Sequence, residues 1–150
     1  MTDWDSIGTN WNELETANAM RELLPEWGFP RESSLKLLSL SENAVFLAES
    51  PQDNTRLILR VHMQGYNTPA EIDAELTWIC AIIADMDLET VRPVPTVGGI
   101  LRNTLSDGRS IVGFEYIKGA PIDAENDLLP TMEMLGVMTA KLHLHSKSWV

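Results

Sequence analysis

The segment Thr55-Arg56-Leu57-Ile58-Leu59-Arg60-Val61-His62, followed by Thr68-Pro69-Ala70-Glu71-Ile72, decides the fold. Its first half alternates. Leu57, Leu59 and Val61 fall on one side of an extended chain, and Ile58, Arg60 and His62 on the other. Its second half switches to helix: Thr68 is an N-cap, Pro69 takes the first helical position and Glu71 the third, which together make a capping box. The helix so opened carries Ile72, Leu76, Ile79 and Ile83 as an apolar stripe, with Glu75 beside it. A strand with a central cation therefore leads into a helix with a flanking carboxylate.

Upstream, two further strands are expected at Leu35–Ser41 and Ala44–Ser50. Glu42-Asn43 separates them, and Pro51-Gln52-Asp53-Asn54 separates the second from Thr55–His62; both are polar turn formers, so the three strands read as an antiparallel meander. A leading helix is expected over Asn10–Trp27, with Trp11, Leu14, Ala17, Met20, Leu24 and Trp27 on one face and Gly28 and Pro30 as the stop. Downstream, Ser106-Asp107-Gly108 joins two strands, Gly98–Leu105 and Arg109–Ile117. Lys118-Gly119-Ala120-Pro121 breaks the pattern, and the acids of Asp123–Asp127 read as a solvated linker. A last helix is expected over Leu128–His145, with Leu128, Met132, Leu135, Thr139 and Leu142 along one side. The fold class is thus α+β: a five-stranded antiparallel sheet with a helix after the third strand. Strands this closely spaced do not suit a doubly wound parallel sheet.

Composition narrows the function. The chain has 150 residues, the size of one ordinary domain. Eleven Lys and Arg against twenty-two Asp and Glu give a net charge of −11, which argues against nucleic acid and anionic membrane surfaces as partners. No apolar run approaches the length of a membrane span, and Met1-Thr2-Asp3-Trp4-Asp5 does not open a signal peptide, so a soluble, cytoplasmic protein is expected. Cys80 is the single cysteine, which excludes an internal disulfide, and its place on an apolar helix suggests a buried, inert thiol.

The order of elements, together with particular residues, resembles the N-terminal lobe of the aminoglycoside phosphotransferase and choline kinase superfamily, small-molecule relatives of the protein kinases. The matching segments are Ser41-Glu42-Asn43-Ala44-Val45-Phe46-Leu47, Leu57 through His62, Glu71 through Trp78, Val94-Pro95 with Gly98-Gly99, Gly113 through Gly119, and Leu135-Gly136 with Ala140-Lys141-Leu142-His143. They span about residues 35–149. On this resemblance residues 1–117 form an ATP-binding lobe with a leading helix, 118–127 a hinge, and 128–150 the start of a C-terminal lobe.

The resemblance implies an adenine nucleotide beneath the first hairpin, its phosphates held by Arg60 and Arg60 oriented by Glu75. Glu71 is the competing acid, but the capping box already occupies it. Without a ligand the same two residues form a strand–helix ion pair. Protein kinases place Lys on this strand, and Arg, a planar fork, is not equivalent to it. The hairpin Ser39-Leu40-Ser41-Glu42-Asn43-Ala44 lacks the kinase glycines. Backbone amides near Ser41, Asn43 and Ala44 are placed to face phosphate, or the hairpin is an ordinary two-strand turn. Glu115 and Ile117 stand where the family's hinge backbone meets the adenine edge; a buried final strand is compatible with the same position.

The catalytic residues of the family come from a His-Gly-Asp segment, a downstream Asn and a second Asp. None of the 150 residues supplies His-Gly-Asp. No catalytic residue is therefore assigned within this chain, the Mg²⁺ ligands are expected from a lobe outside it, and the acceptor, an unidentified small-molecule hydroxyl, is unread. The alternative is a non-catalytic nucleotide-binding or protein-interaction module. His143 and His145 do not read as a metal site, because residues two apart on a helix point about 200° from one another; His143 is expected to pack or hydrogen-bond at the helix end. The apolar stripe of residues 128–150 is expected to form a homodimer or to leave that helix mobile.

Overall fold

The computed structural model describes residues 11–86, 88, 90–119 and 128–149. Helix α1 (Glu13–Leu23) starts at Asn12, whose side-chain oxygen accepts the Glu15 N–H at 3.1 Å. A 3₁₀ turn, Leu24–Trp27, continues it and ends at Gly28, whose φ of 77° needs a residue without a Cβ. Strands β1 (Ser34–Leu40), β2 (Asn43–Glu49) and β3 (Arg56–His62) follow as the expected meander. Helix α2 (Pro69–Asp85) opens on the capping box: the Thr68 hydroxyl accepts the Glu71 N–H, and the Glu71 carboxylate accepts the Thr68 N–H at 2.7 Å. Then come β4 (Pro93–Val94), β5 (Arg102–Thr104), β6 (Ser110–Glu115) and α3 (Leu128–Ser148).

All pairings are antiparallel, in the order β1-β2-β3-β6-β4, with β5 also on β6. The sheet has six strands, not the expected five. The extra one is the two-residue β4, too short to alternate, with a proline that donates no bond and so sits at an edge. The strands expected over Gly98–Leu105 and Arg109–Ile117 are both shorter, at Arg102–Thr104 and Ser110–Glu115. The Asp123–Asp127 linker lies outside the described residues.

Two cores flank the sheet. Met20, Leu24, Trp27 and Phe29 pack on Phe46, Leu57, Leu59, Val61 and Ile111. On the other face Ile72 and Leu76 pack on Val112 and Phe114, with Ile58 and Ile79 beside them. The strand alternation read in β3 is therefore the division between the two layers. Trp27 lies flat over Gly113, where a Cβ would come within 2.7 Å of its Nε1, and that nitrogen donates to the Val94 carbonyl at 3.0 Å.

Three expectations about the helices are corrected. Leu14 is exposed and Thr16 is buried: Arg109 donates to the Thr16 hydroxyl at 2.8 Å and lies over the Trp11 ring, so a polar anchor takes a place the apolar stripe did not foresee. Cys80 is exposed, on the flank of α2, because the sheet takes up the Ile72 and Leu76 side of that helix, with Ile79 partly buried beside them. The third concerns α3, which meets α2 through His145 rather than His143. The Nδ1 of His145 accepts from Trp78 Nε1 at 3.2 Å, and its Nε2 is 3.0 Å from Asp85 Oδ2. None of the described α3 side chains is fully buried.

Candidate functional site

β3 and α2 bring Arg60 and Glu75 together. Nη2 of Arg60 donates to both oxygens of Glu75, each at 2.9 Å. The strand puts Arg60 on the α2 face, and Glu75, one helical turn after Ile72, borders the buried stripe and reaches it. The guanidinium also lies 4.9 Å from the Phe114 ring centre, so an aromatic face supports it from β6. The arginine side chain is one-fifth exposed and the glutamate two-fifths, which places the pair at the rim of a layer rather than inside it. Glu71 stays in its capping box, as the sequence indicated.

The pair leaves hydrogen-bonding capacity unspent. Arg60 Nε is buried without a partner among the described residues, and so are Asn43 Oδ1 and both ring nitrogens of His62. Strand register explains why they cluster. Val45 faces Arg60, and two residues along the same ladder Asn43 faces His62. The β3–β6 ladder, in which Arg60 faces Val112, runs on toward Ser110, and Thr104 faces Ser110 in turn. Asn43, His62, Ser110 and Thr104 thus form a polar row across four strands on the α2 face, next to the row that holds Arg60. His62 and Ser110 line a cavity of about 130 Å³ together with Pro69, Ile72 and Arg109.

Burial drives the His62 imidazole down to about 4, and the Arg60 charge adds to the effect. His62 is therefore neutral near pH 7, with one donor and one acceptor nitrogen. The alternation of β3 places His62 on the Arg60 face without assigning it a role; the polar neighbour that marks it, Asn43, comes from strand register. A second clamp holds the helix close by. Arg102 grips Asp73 through two bonds of 2.7 and 3.0 Å and keeps that carboxyl below the ordinary carboxylate range.

The other sequence-derived positions are not gathered at the ion pair. Ser41 is exposed in the β1–β2 turn, where its N–H donates to the Asn43 carbonyl at 3.0 Å. Glu115 faces Leu57, three residues along β3 from Arg60. Its N–H donates to the Arg92 carbonyl at 2.9 Å, and its carboxylate pairs with Arg92. Ile117 lies just beyond β6 and lines, with Glu115, Ile83 and Met86, a cavity of about 420 Å³. Among the described residues no group of three or more His, Cys, Asp or Glu is placed to hold a metal. No described helix is long and apolar enough to cross a membrane.

No protein-family model matches the chain, and no curated protein matches it. Among solved structures it is similar to a microcompartment-associated aminopropanol kinase, with a TM-score of 0.73 and 36% identity. The fold is kinase-like. The match covers 87% of this chain and 41% of that kinase, so the chain spans about two-fifths of its neighbour's length.

Proposed function

We propose that this chain is the nucleotide-binding lobe of an ATP-dependent phosphotransferase acting on a small-molecule hydroxyl, of the aminoglycoside phosphotransferase type. The observation that carries the reading is Arg60: Glu75 takes one of its nitrogens, and Nε is buried with its proton unspent beside Asn43 and His62. A buried donor on a cation is costly to leave unpaired, so an anionic oxygen is the partner that this arrangement favours. Position supports the same reading. From the Asn43 row to the Glu115 row is five residues along β3, about 17 Å. An extended nucleoside triphosphate bridges such a span, with the adenine edge on the backbone of Glu115 and Ile117, phosphates at Arg60, and the terminal group under Ser41 and Asn43.

The described residues do not assemble a magnesium site, so no step is assigned to the metal here. We propose that its ligands, the residue that accepts the substrate proton, and the acceptor pocket come from polypeptide outside these 150 residues. The aminopropanol kinase suggests an amino alcohol as acceptor. A second reading, a non-catalytic interaction module, is favoured by one feature: Leu129, Val137 and Leu144 of α3 are more than half exposed.

Isothermal titration with ATP and Mg²⁺ tests the nucleotide reading. Saturable binding that Arg60→Ala weakens ten-fold or more supports it; equal binding, or none, by both proteins rejects it.

A further inference from the structure

We propose that His145 is a positioning residue for the Arg60–Glu75 pair, acting through α2. This rests on the nucleotide-site reading only for its functional meaning; the structural coupling stands apart from it.

Few apolar side chains fix α2 on the sheet: Ile72 and Leu76, with Ile79 partly buried. Such a contact resists lifting the helix more than sliding or rolling it. Polar pins supply the missing restraint. Arg102 holds Asp73, Arg60 holds Glu75, and His145 holds two residues at once, Trp78 and Asp85. Trp78 and Asp85 are seven residues apart, so they share one side of α2 and lie about 10 Å apart along its axis. One imidazole that bonds both sets the axial position and the rotation of the helix together. Trp78 lies only three residues from Glu75, close to one turn, so a slide there is a slide at the carboxylate.

The chemistry of the pin is specific. Trp78 Nε1–H is a donor only, so Nδ1 of His145 must be an unprotonated acceptor, and the ring proton sits on Nε2 facing the Asp85 carboxylate. Both bonds are thereby oriented one way. The His145 side chain is only one-tenth exposed, and the Trp78 and Trp149 rings pack at 6.4 Å, which encloses the pin. α3, so exposed elsewhere, thus acts on α2 through this end.

The test uses the whole chain. The Arg60 Nε–H resonance, assigned with Arg60→Lys, and amide hydrogen exchange along α2 are recorded without nucleotide for wild type, His145→Ala, His145→Gln and Trp78→Phe. The expected result for His145→Ala is a displaced Arg60 signal and about ten-fold faster exchange over residues 75–85, with the sheet amides unchanged. Gln, which also offers one acceptor and one donor, restores both readouts in part. Trp78→Phe, which keeps the ring and removes the donor, reproduces the Ala effect. An unmoved Arg60 signal overturns the proposal, and so does a uniform loss of protection over sheet and helix. If the signal moves as expected while the protein binds no ATP, the positioning role holds and the nucleotide reading fails.

Discussion

Arg60 meets both oxygens of Glu75 with a single nitrogen, Nη2, and keeps Nε free of any bond among the described residues. Glu75 therefore orients the guanidinium without exhausting it. Glu75→Gln should keep the fold and weaken ATP binding less than Arg60→Ala does. Arg60→Ala removes a charged hydrogen bond worth about 1.5–3 kcal/mol, a ten-fold or greater loss in affinity by titration calorimetry. Arg60→Lys should recover only part, because a point charge cannot serve Glu75 and a phosphate in the same plane.

His62 gives the protein a pH dependence with a definite sign. Its folded value of about 4 is below the ordinary 6.5, so the unfolded chain binds the proton more readily between those limits. Stability should be fully present above pH 6.5 and fall as the pH drops toward 4, by at most about 3 kcal/mol. His62→Gln should flatten that part of the curve. Urea denaturation at pH 7.0 and 4.5, for both proteins, measures the difference.

Gly113 is expected to tolerate no side chain. An alanine Cβ would meet the Trp27 ring at 2.7 Å, and the ring cannot retreat without losing its bond to the Val94 carbonyl. Gly113→Ala should cost about 1–3 kcal/mol in thermal or chemical unfolding. Trp27→Phe should cost less on the hydrogen-bond side alone, about 1 kcal/mol.

The capping box is the local device that fixes where α2 begins. Thr68→Ala should lower stability by about 0.5–2 kcal/mol, and hydrogen exchange should quicken first in the opening turn of the helix.

The exposed residues of α3 lead to a prediction about assembly. Leu129 is 81% exposed, Leu144 67% and Val137 53%, an apolar surface that association would cover. Light scattering after size exclusion should show a dimer, and Leu129→Glu with Leu144→Glu should return it to a monomer. A monomeric wild type with strong exchange protection along α3 would remove this prediction.

Local chemistry made much of the architecture readable before the structure. Thr68, Pro69 and Glu71 state a helix start in four residues, and the alternation of β3 sorts Leu57, Leu59 and Val61 from Ile58, Arg60 and His62 without outside help. The family resemblance pairs Arg60 with Glu75, strand alternation and helix spacing are compatible with that pairing, and the two side chains do meet. What was not readable depends on distant partners. β4 exists only because β6 lies beside Pro93 and Val94. Thr16 is buried because Arg109, on another hairpin, reaches it. Nothing near His145 in the sequence announces Trp78 or Asp85, so the helix-end contact reads as His143's until the fold brings those two partners to His145. The unspent atoms of Asn43 and His62 follow from register, which a single strand does not reveal.

β4 and β5 both pair with β6 along one border, end to end, and neither bonds to the other. That border is a seam stitched in two separate places, whereas β2 and β3 share an unbroken ladder of seven residue pairs, and β1 adds six pairs to β2 across one register shift between Leu37 and Ser39. Under a pulling force the seam should open in two small steps before the meander yields. Mechanical wear would thus begin at the edge beside Glu115, leaving the strands around Arg60 for last.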